Sequence, residues 1–525
     1  MNASLATIYP LSSRLAGNPA DLVAPADFPR YLASHPDCCR NHPFLPDLAS
    51  LENARHRASA ASVVFPTTVP AAVVNPTVRI MEVGWTGLPE FLQDQSVEPQ
   101  PQQALVLLYR PDSRSAVRIL TPSGHDLLAL KMVMEGRDSR QAAAEAGTTI
   151  GAIDAILEAA AQKGLLLTPP SSLIRDADFL QGRFIDPEQA TAATFALQWH
   201  LTQACDLHCR HCYDRSARKN LEFTQALHVL DQLYAFTQTH HVRAQVSFSG
   251  GNPLLYPFFF EIYHEAADRG FLVAILGNPV AEDSIERLLA IKRPEFYQVS
   301  LEGLRDHNDY IRGPGHFDRT LAFLQLLRKH EIYSMVMLTL TRANRAEVLA
   351  LADELRGRTD LFTFNRLAMV GQGAELASME TAEFRQFLEA FLTAAGTNDC
   401  LSLKDNFFNL LLAEQNRPLT GGCTGFGCGA AFNFVSVLPD GEVHACRKFP
   451  SLIGNIFTQS LTDIYAGERA ARYRAGSSAC LDCELRPVCR GCAAVTHGFG
   501  LDVFTGRDPY CFKDGRLGSE TPSAG

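Results

Sequence analysis

Three cysteines with the spacing of metal ligands lie within one short run near the middle of the 525-residue chain: Cys205, Cys209 and Cys212. Three thiolates on one loop can bind three irons of a [4Fe–4S] cubane, and the fourth iron then has no protein ligand. An open position is what a metal centre needs to bind and activate another molecule. The run therefore predicts a reactive cluster, with a structural zinc or a redox-inert cluster as the alternative.

A second group of eight cysteines lies near the C-terminus: Cys423, Cys428, Cys446, Cys480, Cys483, Cys489, Cys492 and Cys511. Eight thiolates suffice for two fully ligated [4Fe–4S] clusters. Full ligation favours electron transfer or structural support over substrate binding. Zinc sites built from the two C-x2-C pairs are the alternative. Cysteines clustered at such short spacings in a large chain favour metal ligation over disulfides.

Two short segments follow predicted strands and could approach a bound cofactor. The first is Gly250-Gly251-Asn252-Pro253, where paired glycines allow close backbone approach. A plain turn is the alternative for this segment. The second is Ser300-Leu301-Glu302-Gly303. The guanidinium of Arg312, further along the chain, could bind a carboxylate, and a surface salt bridge is its alternative role.

Strand-like and helical stretches alternate over residues 190–375, which is typical of a parallel sheet that curls into a partial (β/α)6 barrel. In such folds the C-terminal ends of the strands carry the chemistry, and Cys205 follows the first of them. A helical linker is predicted over 376–420 and a cysteine-rich domain over 421–515. The strand-like runs are Phe195–Leu201, Gln245–Phe248, Leu272–Leu276, Tyr297–Leu301, Ser334–Leu340 and Leu361–Leu367.

The N-terminal part of the sequence predicts two further regions. Residues 1–103 are predicted to form a helical region that resembles a fused partner protein. This region ends in a linker over residues 99–103. Residues 104–170 contain two or three strand-like runs and three short helices, of which the first is capped by Ser123 and the third is amphipathic; together they describe a winged-helix-like unit. A DNA-binding role is the alternative for this unit. Its third helix, Ile150–Lys163, has one lysine and no arginine, so it is poorly suited to bind in the major groove of DNA.

The composition argues against a nucleic-acid-binding, membrane or secreted protein. The chain is 46% hydrophobic and 20% charged, with a net charge of −10. These values are ordinary for a globular protein and give no broad basic face for nucleic acid. No apolar run reaches the ~18 residues of a membrane span, and the N-terminus lacks a secretory signal. We therefore expect a cytoplasmic protein without a membrane or nucleic-acid partner.

The C-x3-C-x2-C run and the two cofactor segments resemble those of the radical S-adenosylmethionine (SAM) superfamily. The resemblance implies that the amino and carboxylate groups of SAM occupy the open iron, and that reductive cleavage gives a 5′-deoxyadenosyl radical. Asn252 replaces the glutamate usual in the Gly-Gly-Glu-Pro segment. The resemblance implies that the following residues contact SAM: His211 against adenine, Gly250, Gly251, Asn252, Pro253, Ser300, Glu302 and Arg312.

The C-terminal cysteines resemble those of the SPASM domain, although two residues instead of three separate Cys489 and Cys492. The resemblance implies two auxiliary [4Fe–4S] clusters. Sulfatase-maturating relatives place an aspartate base directly after the cysteine equivalent to Cys446, where this chain has Arg447. An arginine is always protonated and cannot serve as a base. The implied ligand sets are Cys423, Cys428, Cys446 and Cys492 for one cluster and Cys480, Cys483, Cys489 and Cys511 for the other.

Residues 104–170 resemble the leader-recognition element of enzymes that mature ribosomally made peptides, in which the leader adds a strand to a sheet edge. The overall layout resembles SPASM peptide maturases, among them the selenobiotic and geopeptide maturases. It implies hydrogen abstraction from a precursor peptide to make a thioether, carbon–carbon or heterocyclic linkage, with flavodoxin or ferredoxin as electron donor. The alternatives are a protein side chain or small metabolite as substrate, and a non-catalytic iron–sulfur or zinc protein with a binding or regulatory role.

Overall fold

The computed structural model describes residues 4–17, 23–176, 179, 190–425 and 427–513. The chain divides into two compact units, Met1–Pro170 and Ser171–Gly525. The described residues contain no helix that is both long enough and apolar enough to cross a membrane.

The first unit combines helices with a small antiparallel sheet. Its strands are β1 (Val73–Val74), β2 (Arg79–Thr86), β3 (Gln100–Tyr109), β4 (Arg118–Leu120) and β5 (Leu166–Leu167). β3 lies between β2 and β4, whereas β1 pairs with β5 in a separate two-stranded sheet. The α-helices are Leu5–Ile8, Ser12–Leu15, Phe28–Ser34, Leu45–Ala60, Leu88–Gln93, Gly124–Glu135, Ser139–Ala146 and Ile150–Lys163, with 3-10 turns at Pro25–Asp27 and Pro36–Cys39.

The linker predicted over residues 99–103 is wrong, because β3 begins at Gln100 and the proposed boundary at 103/104 falls inside this strand. Pro101 pairs with Trp85 of β2. A proline has no N–H to donate and is normally confined to a strand edge. It is accommodated here because β4 pairs only with residues Leu107–Tyr109, so that this end of β3 has a neighbour on one side.

The three helices predicted after residue 120 are present with the expected caps. Ser123 accepts a hydrogen bond from the Asp126 N–H, and Asp126 in turn accepts one from the Ser123 N–H. Gly136, Gly147 and Gly164 end the three helices with positive φ angles, the conformation that favours glycine. The first and third helices pack on Leu107 and Tyr109 of the sheet, and the second helix packs on the other two through Ala142 and Ala143. Peptide recognition by this unit stays a prediction.

A parallel sheet forms the centre of the second unit, as predicted. Its first six strands are β6 (Thr194–Thr202), β7 (Arg243–Gly250), β8 (Leu272–Leu276), β9 (Tyr297–Ser300), β10 (Ser334–Leu340) and β11 (Leu361–Arg366). They follow one another in chain order, and each pairs in parallel with the next. The partial TIM-like barrel is therefore confirmed.

Helices cover the outside of this sheet. They are Phe223–His240, Phe259–Asp268, Glu282–Ile291, Arg305–Arg312, His316–Lys329 and Val348–Leu355, with a 3-10 turn at Pro253–Leu255. Their buried faces pack on strands that are themselves buried on both sides, such as β8, in which Val273, Ala274 and Ile275 are fully buried. Such strands read as continuous apolar runs, which is typical of parallel sheets.

The remaining chain extends the same sheet beyond the barrel. After helices Thr381–Ala395 and Phe408–Glu414 come β12 (Phe434–Val437), β13 (Glu442–His444) and β14 (Leu452–Asn455). β12 lies parallel to β6, and β13 and β14 follow antiparallel. The last helices are Leu461–Ala466, Glu468–Ala475 and Ala493–Gly498, with 3-10 turns at Gly371–Glu375, Ser478–Cys480 and Arg486–Val488. The pairing of β12 with β6 joins the cysteine-rich region to the first barrel strand.

Candidate active site

The loop after β6 brings Cys205, Cys209 and Cys212 into one cavity. The backbone of this loop is fixed by its own hydrogen bonds and by its neighbours. The Ala204 N–H donates to Thr202 Oγ1 at 3.1 Å, and the Arg210 N–H donates to the Ile311 carbonyl at 3.0 Å. All three cysteines line a cavity of about 380 Å³ at the C-terminal end of the barrel strands, a volume suited to a small molecule or cofactor.

Gly250 and Gly251 bring the end of β7 directly against this loop. The Gly251 N–H donates to the Thr202 carbonyl at 2.9 Å, and the Asn252 N–H donates to the Ala204 carbonyl at 2.8 Å. A Cβ atom on Gly251 would lie 2.2 Å from the Ala204 oxygen and 2.9 Å from the Cys205 Cβ. Only glycine permits this approach, so the plain-turn alternative does not account for the segment.

Asn252 binds within the protein instead of facing the cavity. Its Nδ2 donates to Asp206 Oδ1 at 3.1 Å, and its Oδ1 accepts the Leu254 N–H at 3.3 Å. Asn278 donates to the same Asp206 oxygen at 2.7 Å. Asn252 and Pro253 are buried and are not among the described residues that line the cavity. The sequence reasoning missed Asp206 and Asn278; the carboxylate inside the cysteine run was the available signal.

Glu302 and Arg312 form a buried ion pair beside the cysteines. Arg312 Nη2 donates to Glu302 Oε1 at 2.6 Å, and the Arg312 side chain is only 10% exposed, which excludes the surface salt bridge. Arg312 Nη1 lies 3.8 Å from Cys209 Sγ. Glu302 Oε2 accepts the Thr339 N–H at 2.8 Å. Arg312 and Ser300 line the cavity, whereas Glu302 lies behind them and holds Arg312 in place.

His211 completes this network. Its Nε2 lies 3.3 Å from Glu302 Oε1, and its Nδ1 is buried without a hydrogen-bond partner among the described residues. Burial by itself would raise the pKa of the Glu302 carboxyl, but His211 and Arg312 hold that pKa well below its usual range. The Glu302 carboxylate is therefore ionised and bound by Arg312, His211 and the Thr339 backbone, and its contact with SAM stays a prediction.

The lining of the cavity also contains a cluster of polar residues that the sequence did not reveal. Arg447 Nη1 donates to Ser249 Oγ at 2.8 Å. Tyr213 Oη lies 3.1 Å from His200 Nε2. Burial, reinforced by Arg447, lowers the pKa of His200 to about 3, and burial raises the pKa of Tyr213 to about 12. Both groups are consequently neutral at ordinary pH.

The eight C-terminal cysteines fall into two groups of four in the structure. One cavity, of about 470 Å³, is lined by Cys423, Cys428, Cys446 and Cys492. A second cavity, of about 320 Å³, is lined by Cys480, Cys483, Cys489 and Cys511. These are the two ligand sets that the resemblance implied. The structure brings the members of each set together, and their ligation of iron remains a proposal.

The chemistry of these donors fits iron–sulfur clusters. Burial raises the pKa of Cys492 to about 12 and that of Cys480 to about 11. A coordinating thiol must lose its proton, and a bound metal supplies the positive charge that stabilises the thiolate. Buried sulfur donors collected around a cavity are the surroundings that Cys-ligated clusters require.

Comparisons with known proteins identify the two halves of the second unit. Residues 199–355 match the radical SAM superfamily, and residues 428–493 match the SPASM iron–sulfur cluster-binding domain. The AdoMet-dependent heme synthase of Methanosarcina barkeri is 28% identical over 61% of this chain and 97% of the relative. The mycofactocin maturase MftC of Mycobacterium tuberculosis is 28% identical over 62% of this chain and 84% of the relative.

A solved structure has the same fold. Streptococcus suis SuiB, bound to its precursor peptide SuiA, is 15% identical with a TM-score of 0.50, and the match covers 78% of this chain and 96% of SuiB. The two matched domains imply a [4Fe–4S] cluster with SAM, together with auxiliary iron–sulfur clusters. The chain therefore carries a radical SAM domain over residues 199–355 and a SPASM domain over residues 428–493.

Proposed function

We propose that this enzyme modifies a ribosomally synthesised precursor peptide by hydrogen abstraction, forming a thioether, carbon–carbon or heterocyclic linkage. The observation that carries the proposal is the arrangement of the two cavities. The cavity of Cys205, Cys209 and Cys212 and that of Cys446 share five lining residues: Leu276, Gln298, Asn365, Arg447 and Lys448. A substrate carbon in the first cavity would lie beside an electron acceptor in the second.

The residues of the first cavity would then have distinct roles. Cys205, Cys209 and Cys212 would hold the cluster, and Arg312, fixed by Glu302, would bind the SAM carboxylate. The backbone at Gly250–Gly251 would accept hydrogen bonds from the SAM ammonium. When bound, SAM and its cluster supply a 5′-deoxyadenosyl radical that removes a hydrogen atom from an unactivated C–H bond. A flavodoxin- or ferredoxin-type donor would provide the electron.

A peptide substrate is supported by the first unit and by the relatives. β2 pairs with β3 on one side, and among the described residues no strand pairs with its other side. Ile80 on β2 is 53% exposed. An extended leader peptide could add to this edge through its backbone, with side chains such as Ile80 giving specificity. The name of the relative MftC, a mycofactocin maturase, is consistent with this class of reaction.

The test is anaerobic incubation of the reconstituted enzyme with SAM, a reductant and a candidate precursor peptide encoded beside the gene. The proposal expects 5′-deoxyadenosine and a change in the peptide mass. Cys209→Ala should abolish both, whereas Cys483→Ala should retain 5′-deoxyadenosine formation and lower the product yield. Cleavage of SAM at the wild-type rate by Cys209→Ala would refute the cluster assignment, and an unchanged peptide would refute the substrate class.

A second candidate substrate is a porphyrin, because one relative is a heme synthase. The match covers 97% of that relative and 61% of this chain, and the match to MftC covers a similar 62% of this chain, so experiment must separate the two candidates. Parallel incubation with an iron porphyrin distinguishes the two candidates. Formation of heme without peptide modification would favour the second.

A further inference from the structure

Three cationic side chains surround the cavity of Cys423, Cys428, Cys446 and Cys492. Lys404, Arg447 and Lys448 all line it, and among the described residues that line it there is no aspartate or glutamate. Arg447 and Lys448 also line the neighbouring cavity of Cys205, Cys209 and Cys212, which we call the SAM cavity. The wall between the two cavities is therefore positively charged.

The three cations have no acidic partner within the described part of the chain. Arg447 donates to the Ser249 hydroxyl, and Lys404 Nζ donates to Asn365 Oδ1 at 3.3 Å. The described acidic residues form no ion pair with Lys404, Arg447 or Lys448. A nearby arginine shows the contrast, since buried Arg366 is paired with both Asp405 and Asp508 at 2.8 Å. No described carboxylate therefore neutralises these three cations, and the negative charge of the sulfur ligands would do so instead.

Electrostatic interactions connect these cations to the cysteines and to one another. Lys404 lies within electrostatic range of Lys448 and Arg447 and of the Cys423 and Cys446 sulfur atoms. Charges in a partly buried site interact more strongly than the same charges in water.

We propose that Lys404, Arg447 and Lys448 form a cationic cage that raises the reduction potential of the cluster held by Cys423, Cys428, Cys446 and Cys492. A cluster with four thiolate ligands is anionic and gains one further negative charge on reduction. Positive charges beside it stabilise the reduced state more than the oxidised state, and net charge and local surroundings set the potentials of such clusters.

The cage gives this cluster a defined place in the reaction, if the proposed function holds. Joining a C–H carbon to an X–H nucleophile removes two hydrogen atoms in total. One leaves as the hydrogen atom of 5′-deoxyadenosine, and the other leaves as a proton to solvent and an electron. The cluster held by Cys423, Cys428, Cys446 and Cys492 would accept this electron, and a flavodoxin- or ferredoxin-type carrier would take it from there.

The test is a redox titration of the full-length enzyme with its clusters reconstituted, followed by EPR in the absence of peptide. The SAM-binding cluster is recognised by its response to SAM, and the caged cluster by the signal lost in Cys446→Ala. Lys404→Met should make the midpoint potential of the caged cluster more negative, whereas Lys404→Arg should keep it near the wild-type value. The potentials of the other clusters should not move.

Two further variants make the result decisive. Lys448→Met should also make the midpoint potential of the caged cluster more negative. If Lys404→Met loses iron, Lys448→Met is the variant that tests the proposal. Lys329→Met is the control, because Lys329 is exposed and pairs with Glu282. An unchanged midpoint potential at wild-type iron content in the tested cage variant overturns the proposal and leaves the cations to bind an anionic substrate group. Because no peptide is present, this result is independent of the substrate class.

Discussion

Buried charges organise the active cavity at the scale of single residues. Glu302 accepts hydrogen bonds from Arg312 and from the Thr339 backbone and lies beside His211. Arg312 in turn lies next to Cys209. The position of the guanidinium that we assign to the SAM carboxylate therefore depends on a carboxylate that does not itself line the cavity.

Glu302→Gln should destabilise the protein and weaken SAM binding. Removing one partner of a buried ion pair costs about 3–5 kcal/mol, because the other charge is left uncompensated. The pKa of Glu302 is held below its ordinary value of 4.5, so its contribution to stability is present above that pH and is lost as the pH falls further. Thermal unfolding and the EPR response to SAM measure the two effects. Glu282→Gln, which alters an exposed pair, should change neither; equal effects in both variants would contradict the assignment.

His200→Gln should reduce the acid sensitivity of the fold. The pKa of buried His200 is lowered from 6.5 to about 3, so between these values the unfolded chain binds a proton that the folded chain does not. Stability therefore falls as the pH drops through this window. When the pH falls from about 7.5 to about 5.5, the free energy of unfolding of the wild type should decrease by about 1.4 kcal/mol more than that of the variant. Urea unfolding at the two pH values checks this, and equal losses would show that His200 titrates normally.

At the scale of elements, the strands and helices were largely predictable and the pairings between distant residues were not. Runs such as Leu272–Leu276 are apolar because both faces of a parallel strand are buried. The contact between Asn252 and Asp206 spans 46 residues, and that between Arg366 and Asp508 spans 142. Such contacts depend on where the barrel places each strand end. The parallel pairing of β12 with β6 likewise left no local signal.

Gly251→Ala should displace the cysteine loop from the end of β7. The new Cβ would lie 2.2 Å from the Ala204 oxygen, and neither backbone segment can give way without moving Cys205. A misplacement of about 1 Å in a catalytic site can cost about 100-fold in rate, and we expect a loss of that order in 5′-deoxyadenosine formation. Gly124→Ala is the matched control, because no atom lies within 4 Å of its Cβ. Similar rates for Gly251→Ala and the wild type would show that the close approach is not required.

At the scale of the whole molecule, the first unit has hydrophobic cores of its own, and we assign a different role to each unit. Leu45, Leu48 and Val106 belong to a core of the first unit, while the barrel and the cysteine-rich region share one sheet in the second. Binding of the leader and cleavage of SAM should therefore be separable by mutation. A surface change in the first unit can test this in the intact chain.

Ile80→Glu should weaken peptide use without affecting SAM cleavage. Ile80 is 53% exposed on the open edge of β2, and a charge there would oppose an added apolar strand while leaving the core intact. We expect KM for the precursor peptide to rise about tenfold, equivalent to about 1.4 kcal/mol of lost binding, with unchanged peptide-independent 5′-deoxyadenosine formation. Val64→Glu, at an 88% exposed position outside the strands, is the control. If both variants process the peptide like the wild type, the leader does not bind along β2, whereas a loss of SAM cleavage in Ile80→Glu would show that the two activities are not separable.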